Sequence, residues 1–261
     1  QTHMTWAKVA PALARRYDVI VPDLRGYGDS DAPPDDADHV AYSKRRMARD
    51  IIGLMDALGL ATTRVVGHDR GARVAYRLAL DHPARIARLG ICEVVPTGDF
   101  WDAWSAEIGL AAYHWTFLAQ PAPLPERMIG ADPVAYLEWT LASWTAAGDL
   151  SPFADAALAS YRAQMQEPAR IAAMCADYRA GATTDRRDDR DSRAAGQRIA
   201  APLHFLHAEE GFPAHTGNAR GLWAPWAPRL TISTCRTGHF IMEEDPDAFL
   251  ASFLPFLDGG P

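Results

Sequence analysis

Nine residues, Val65-Val66-Gly67-His68-Asp69-Arg70-Gly71-Ala72-Arg73, constrain this chain more than any others. They read as a buried strand, a tight turn with glycine at both shoulders, and the first turn of a helix that runs on through Val74-Ala75-Tyr76-Arg77-Leu78. So short a turn puts Asp69 at its apex and demands close approach at Gly67 and Gly71, where side chains are expected not to fit. An apical Asp has a definite chemistry. It is ionised at neutral pH without a base, attacks an electrophilic carbon directly and forms an ester. Alkyl halides or epoxides suit such a nucleophile better than amides.

The remainder of the chain reads as α/β. β-rich runs at Asp18–Pro22, Arg64–Gly67, Arg88–Val95, Pro202–His207 and Arg229–Thr234 alternate with helical patterns. Met47, Ile51, Leu54, Met55 and Leu58 recur at helical spacing between Ser43 and Leu58, and Gly59 stops that helix. The helix after the turn should end near His82, before Pro83. Such alternation implies a mostly parallel sheet flanked by helices on both faces. From Pro96 to about Ala200 the strand signals stop, and helical segments rich in Trp101, Trp104, Tyr113, Trp115, Tyr136, Trp139 and Trp144 take over. The expected division is a core of residues 1–95 and 200–261 with an inserted α-helical cap over 96–199. The mixed-charge stretch Asp185 to Arg193 is expected to be a solvated, mobile linker at the cap's exit.

Composition narrows the function classes. With 261 residues, 48% of them hydrophobic, the chain can bury a sizeable core. A net charge of -7 without any basic run argues against a nucleic-acid partner. No apolar stretch approaches the roughly 18 residues of a membrane span, and no signal-peptide pattern is visible. Cys92, Cys175 and Cys235 are odd in number, widely spaced and outside metal-ligand patterns. They are expected to be reduced thiols of a cytoplasmic protein that holds no metal.

The Gly67-x-Asp69-x-Gly71 turn resembles the nucleophile elbow of the α/β-hydrolases. That fold places a base in the loop after the last strand, which is His239 in Thr237-Gly238-His239-Phe240. It places the acid that orients the base in one of two positions. Glu93, ending the run Arg88–Val95, is favoured, because a charge closing an apolar strand would otherwise be buried without a partner. Glu209 and Glu210 follow the next strand, and Glu210 is the rival.

Arg70 and Arg73 lie three apart at the start of the elbow helix, so both can face the cleft above Asp69. Guanidinium forks suit carboxylates. Neutral alkyl halides have no use for two cations beside the nucleophile, whereas a 2-halo acid does.

With Asp69-Arg70-x-x-Arg73 in view, the chain resembles the fluoroacetate (haloacetate) dehalogenases, an Asp-nucleophile branch of the α/β-hydrolases, over nearly its whole length. Asp23-Leu24-Arg25-Gly26-Tyr27-Gly28-Asp29-Ser30 marks only the wider superfamily. More specific are the segments Tyr113 to Pro125, Ala142-Ser143-Trp144-Thr145 and Cys175-Ala176-Asp177-Tyr178-Arg179-Ala180-Gly181. The resemblance implies hydrolysis of a short 2-halo acid through an aspartyl ester. Asp69, His239 and Glu93 would be catalytic, Arg70 and Arg73 would hold the substrate carboxylate, and Trp144 would line the channel. His114, Trp115 and Tyr178 match the family's halide donors, whose N–H and O–H groups replace the water shell of a departing halide. No cofactor is implied; a homodimer is.

Two departures stand out. The family carries Asp where this chain has Glu93, which displaces the carboxylate by about a bond length. Members also carry three further strands and a His-Gly-x-Pro loop ahead of the segment matching Gln1-Thr2-His3, and that loop supplies half of an oxyanion hole. The resemblance therefore implies that these residues come from a longer protein, with a sheet edge left open.

Two rival readings remain. An epoxide hydrolase shares the Asp nucleophile and His base but would aim two cap tyrosines at the epoxide oxygen, with Tyr113 and Tyr178 as candidates. A non-catalytic protein that senses a small acid would keep the cleft without turnover.

Overall fold

In the computed structural model, which describes residues 1–209 and 211–260, four parallel strands form one sheet. They are β1 (Thr63–His68), β2 (Ile86–Cys92), β3 (Leu203–Ala208) and β4 (Leu230–Cys235), and their order in space follows the chain. Gly67 pairs with Ile91, Ile91 with Phe205, and Phe205 with Ile232. β2 and β3 lie in the middle and are buried along most of their length, which is why they read as near-continuous apolar runs. β1 and β4 are only partly covered.

The sheet corrects one expectation. Asp18–Pro22 is not a strand: it is irregular, with Val19 36% and Ile20 48% exposed. The outer edge of β1 faces a groove of about 520 Å³ lined by Val19, Ile20, Val65, Val66 and the helix residues Ile51, Leu54 and Leu58. β-propensity expresses itself only where a neighbouring strand pairs with the backbone, and among the described residues none pairs with this segment.

Helices cover the sheet. Ser43 caps the helix Lys44–Ala57 by accepting the Arg46 N–H at 3.2 Å, and Gly59, at φ +68°, ends the run. The elbow helix is Asp69–Asp81. Trp223 is fully buried against Tyr76 at 5.7 Å, and its Nε1–H donates to the Val94 carbonyl at 2.9 Å.

Between β2 and β3 the chain is all helical, eight helices from Thr97 to Ala194. The last of these overturns the expectation of a mobile linker, because Thr184–Ala194 is an α-helix with a buried face. Its acidic and small residues recur with helical period at Asp185, Asp188, Asp189 and Ser192, and that stripe lies on cations and hydroxyls of the core. Asp185 accepts the Lys44 N–H at 2.8 Å, Asp188 pairs with Arg45 at 2.8 Å, and Ser192 accepts from Arg77 at 2.8 Å. Asp189 accepts from the Tyr76 hydroxyl at 2.8 Å and the Gly98 N–H at 2.9 Å.

Among the described residues, no helix is long and apolar enough to cross a membrane, and no His, Cys, Asp or Glu cluster has metal-binding form. Cys92, Cys175 and Cys235 are free and buried.

Candidate active site

At the elbow, β1 ends in His68 with extended backbone, and Asp69 turns into the helix at φ +45°. A Cβ at position 67 would meet Ala72 Cα and the Gly71 carbonyl oxygen at 2.6 Å, so the close approach expected at Gly67 is present. Gly71 differs from expectation. A Cβ there would meet nothing within 4 Å, because the helix has already turned away and the groove beside β1 lies open.

Asp69 Oδ2 lies 4.0 Å from His239 Nε2, and His239 Nδ1 lies 3.2 Å from Glu93 Oε2. Glu93 sits just past β2 at φ +59°, 1% exposed, and its other oxygen accepts the Ala208 N–H at 2.5 Å. Of its rivals, Glu209 is half exposed beside Arg236 at 3.6 Å, and Glu210 lies outside the described residues. Burial alone would lower the pKa of His239. Hydrogen bonds and charges from Asp69 and Glu93 outweigh it and raise the imidazole to about 9. Burial likewise opposes the Asp69 charge, but His239 and Arg70 hold its carboxyl well below the usual range.

Two further groups fix the imidazole. His68 Nε2 donates to the His239 carbonyl at 2.8 Å, and burial and the charge of His239 hold the His68 pKa at about 3. Glu244, unnoticed in the sequence, clasps the loop. Its carboxylate accepts from the N–H groups of Gly238 and Ala146 at 2.8 Å and of Phe240 at 2.9 Å, while the His239 N–H donates to the Trp144 carbonyl at 2.7 Å.

A small cavity of about 10 Å³ lies over Asp69. Arg73, His114, Trp115, Trp144 and His239 line it, joined by Phe212, which carries no motif and was not anticipated. The Phe212 ring is 5.0 Å from His239 and 5.4 Å from Trp144. His114 is 3% exposed, its Nδ1 has no partner among the described residues, and burial pushes its pKa down to about 3. Tyr178 stands behind these rings, 5.5 Å from His114 and 6.1 Å from Trp115.

The two arginines part company. Arg73 Nη1 donates to the Val95 carbonyl at 3.0 Å and Thr97 Oγ1 at 3.1 Å, its guanidinium lies 4.4 Å over the Trp115 ring, and its Nε has no partner among the described residues. Arg70 instead forks onto Asp177, Nε to Oδ2 at 2.8 Å and Nη2 to Oδ1 at 2.7 Å, and does not line the small cavity. A buried carboxylate facing an imidazole that a second carboxylate holds is equipped for nucleophilic attack followed by base-assisted hydrolysis.

Known proteins agree with this architecture. The sequence profile of the alpha/beta hydrolase fold matches residues 2–246. A fluoroacetate dehalogenase from Burkholderia sp is 39% identical over 245 residues, 94% of this chain and 79% of that protein. A soluble epoxide hydrolase from Corynebacterium sp. (strain C12) is 29% identical over 98% of this chain and 86% of its own. The solved structure of ALR0039 from Nostoc sp PCC 7120 superposes with a TM-score of 0.95 at 42% identity, covering 99% of this chain and 88% of that one. By fold, by elbow and by this match along nearly its full length, the chain belongs to the α/β-hydrolase family.

Proposed function

We propose that the protein is a hydrolytic dehalogenase of short 2-halo acids such as fluoroacetate or chloroacetate. The observation that carries this reading is Arg73. It is a buried cation on the cavity wall beside Asp69, and among the described residues no carboxylate pairs with it. Burial and the neighbouring Arg70 both disfavour its charge, a cost that a bound substrate carboxylate would relieve. An epoxide or a neutral alkyl halide would not.

In this reading an Asp69 carboxylate oxygen attacks the α-carbon as the carbon–halogen bond breaks. The halide leaves toward N–H and O–H donors of His114, Trp115 and Tyr178. His114 serves as a neutral donor, its pKa near 3 keeping it uncharged at working pH. His239 then takes a proton from water, the hydroxide adds to the ester carbonyl of Asp69, and the acyl C–O bond breaks. The departing alkoxide takes the proton back from His239, releasing a 2-hydroxy acid, and the Asp69 carboxylic acid so formed loses its proton to solvent, restoring the ionised nucleophile. Ester formation removes the Asp69 charge, one of the groups that raise the His239 pKa, and so frees the imidazole to act as a base. Side chains and water account for every step.

The epoxide hydrolase reading draws support from the Corynebacterium relative. Against it, Tyr113 packs on Phe117 at 6.4 Å and Trp139 at 5.7 Å, and neither it nor Tyr178 is among the residues lining the small cavity, so the anticipated pair of hydroxyls does not converge there. Halide release from fluoroacetate and chloroacetate, alongside diol formation from styrene oxide, separates the two. Halide release abolished in Asp69→Asn supports the dehalogenase. Diol without halide overturns it, and neither product favours a binding protein.

A further inference from the structure

Asp177 lies on the helix Pro168–Ala182 and is fully buried, one residue before Tyr178. Three side chains from three separate segments converge on its carboxylate. Arg70 supplies the two-bond fork, the Tyr27 hydroxyl donates to Oδ2 at 2.7 Å, and Lys44 Nζ donates to Oδ1. The Asp177 backbone carbonyl takes a further bond from Arg70 Nη2 at 3.0 Å. Lys44 also reaches Asp185 at 3.6 Å, so two buried cations face two buried carboxylates. Tyr178 meets the same guanidinium from its face, 4.3 Å from the ring centre.

This arrangement leaves Arg70 one free nitrogen. Nε and Nη2 are taken, and Nη1, with its two N–H groups, is buried without a partner among the described residues. A guanidinium held at one edge by a fork and on one face by a ring cannot rotate, so its remaining nitrogen keeps a fixed direction. We propose that Asp177 is the positioning residue for Arg70, locking the guanidinium so that Nη1 is the one nitrogen left to meet a substrate carboxylate beside Asp69, with which Arg70 shares the lining of the groove, while Arg73 supplies the uncompensated charge. The proposal rests on the reading of the cavity as a halo-acid site. It assigns unequal roles to two arginines that their spacing makes look equivalent: Arg70 directs and Arg73 attracts.

The test is a double-mutant cycle on wild type, Asp177→Asn, Arg70→Met and the double variant. Three readouts are taken: KM and kcat for chloride release from chloroacetate, glycolate affinity by tryptophan fluorescence, and the thermal midpoint. Asp177→Asn is expected to raise KM and the glycolate Kd about tenfold, the effect of misaligning one charge-assisted hydrogen bond, with a smaller change in kcat. That rise should vanish in the Arg70→Met background, because Asp177 acts through Arg70. The same fold-change in both backgrounds, or a lower thermal midpoint with KM and Kd unmoved, overturns the proposal. Should Asp177→Asn fail to fold, Tyr27→Phe loosens the same carboxylate without changing charge and is expected to give a smaller rise, again only with Arg70 present. Wild type that binds glycolate but releases no halide would sink the dehalogenase reading, and the glycolate cycle still decides the role of Asp177. Wild type that neither binds glycolate nor releases halide overturns both.

Discussion

Glu93 Oε2 stands 3.2 Å from His239 Nδ1, across a gap of 146 residues in the chain, and both groups are buried. That contact points the other ring nitrogen at Asp69, 4.0 Å away. It makes the three residues separable by experiment.

Replacing His239 with Gln should divide the reaction at its intermediate. Attack by Asp69 needs no base, whereas ester hydrolysis does, and a general base contributes about 10²–10⁴-fold. Halide release is expected to stop after one equivalent. Mass spectrometry should then find a carboxymethyl ester on the peptide containing Asp69. Continued turnover at the wild-type rate would remove His239 from the mechanism.

Glu93 is the next lever. Glu93→Gln keeps the shape but removes the charge that supports the imidazolium, and kcat is expected to fall by about 10²–10⁴-fold with KM little changed. Glu93→Asp should retain activity within about tenfold, since the acid persists and Asp tolerates the φ of +59° better than most residues. Equal losses in the two variants would contradict an orienting role.

The pH dependence follows from His239. Its pKa in the folded protein, about 9, lies above the model-compound value of 6.5. The protonated ring between two carboxylates therefore stabilises the fold fully below pH 6.5, and that stability is lost as pH rises through about 9. The thermal midpoint should decline across that window in wild type and less so in Asp69→Asn. Single-turnover halide release should stay flat there, because Asp69 is ionised throughout, while ester hydrolysis falls on the acid side.

The two elbow glycines should part in stability measurements. Gly67→Ala drives a methyl into backbone at 2.6 Å and is expected to cost about 1–3 kcal/mol, with loss of activity. Gly71→Ala enters open space within a helix and should be neutral or stabilising by up to about 1 kcal/mol. Urea midpoints of the two variants check this.

Arg73→Met removes the cation without a carboxylate partner. KM for chloroacetate is expected to rise by about 10- to 100-fold, the range for one or two charge-assisted bonds. Diol formation from a neutral epoxide would not respond.

Much of this was legible in the sequence because it is local. The elbow, its helix, all four strands and the loop of His239 follow from short patterns of glycine, proline and apolar spacing. What was misread depends on partners remote in the chain. Val19 and Ile20 have strand propensity, but among the described residues no strand pairs with them. The charges of Asp185–Arg193 looked solvated until Lys44, Arg45 and Arg77 were seen beneath them. Arg70 looked like a twin of Arg73, and its fork is taken by a residue 107 positions downstream. Phe212 and Glu244 carry no motif, and only the folded chain brings them to His239.

The acidic stripe of Thr184–Ala194 bears on how anything reaches Asp69. Asp185, Asp188 and Asp189 bind that helix to the core, and Asp177 binds the one before it to Arg70. Peeling either away would strand buried charges, at about 3–5 kcal/mol for each broken pair. The cavity of about 10 Å³ admits roughly a single water. On one side the wall over Asp69 is held by ring contacts, Phe212 to Trp144 at 5.4 Å, while Asp69 and Arg70 also line the wide groove beside β1. The ion-paired helices thus form the rigid part of the enclosure, and any approach to Asp69 is expected from the groove or past the rings.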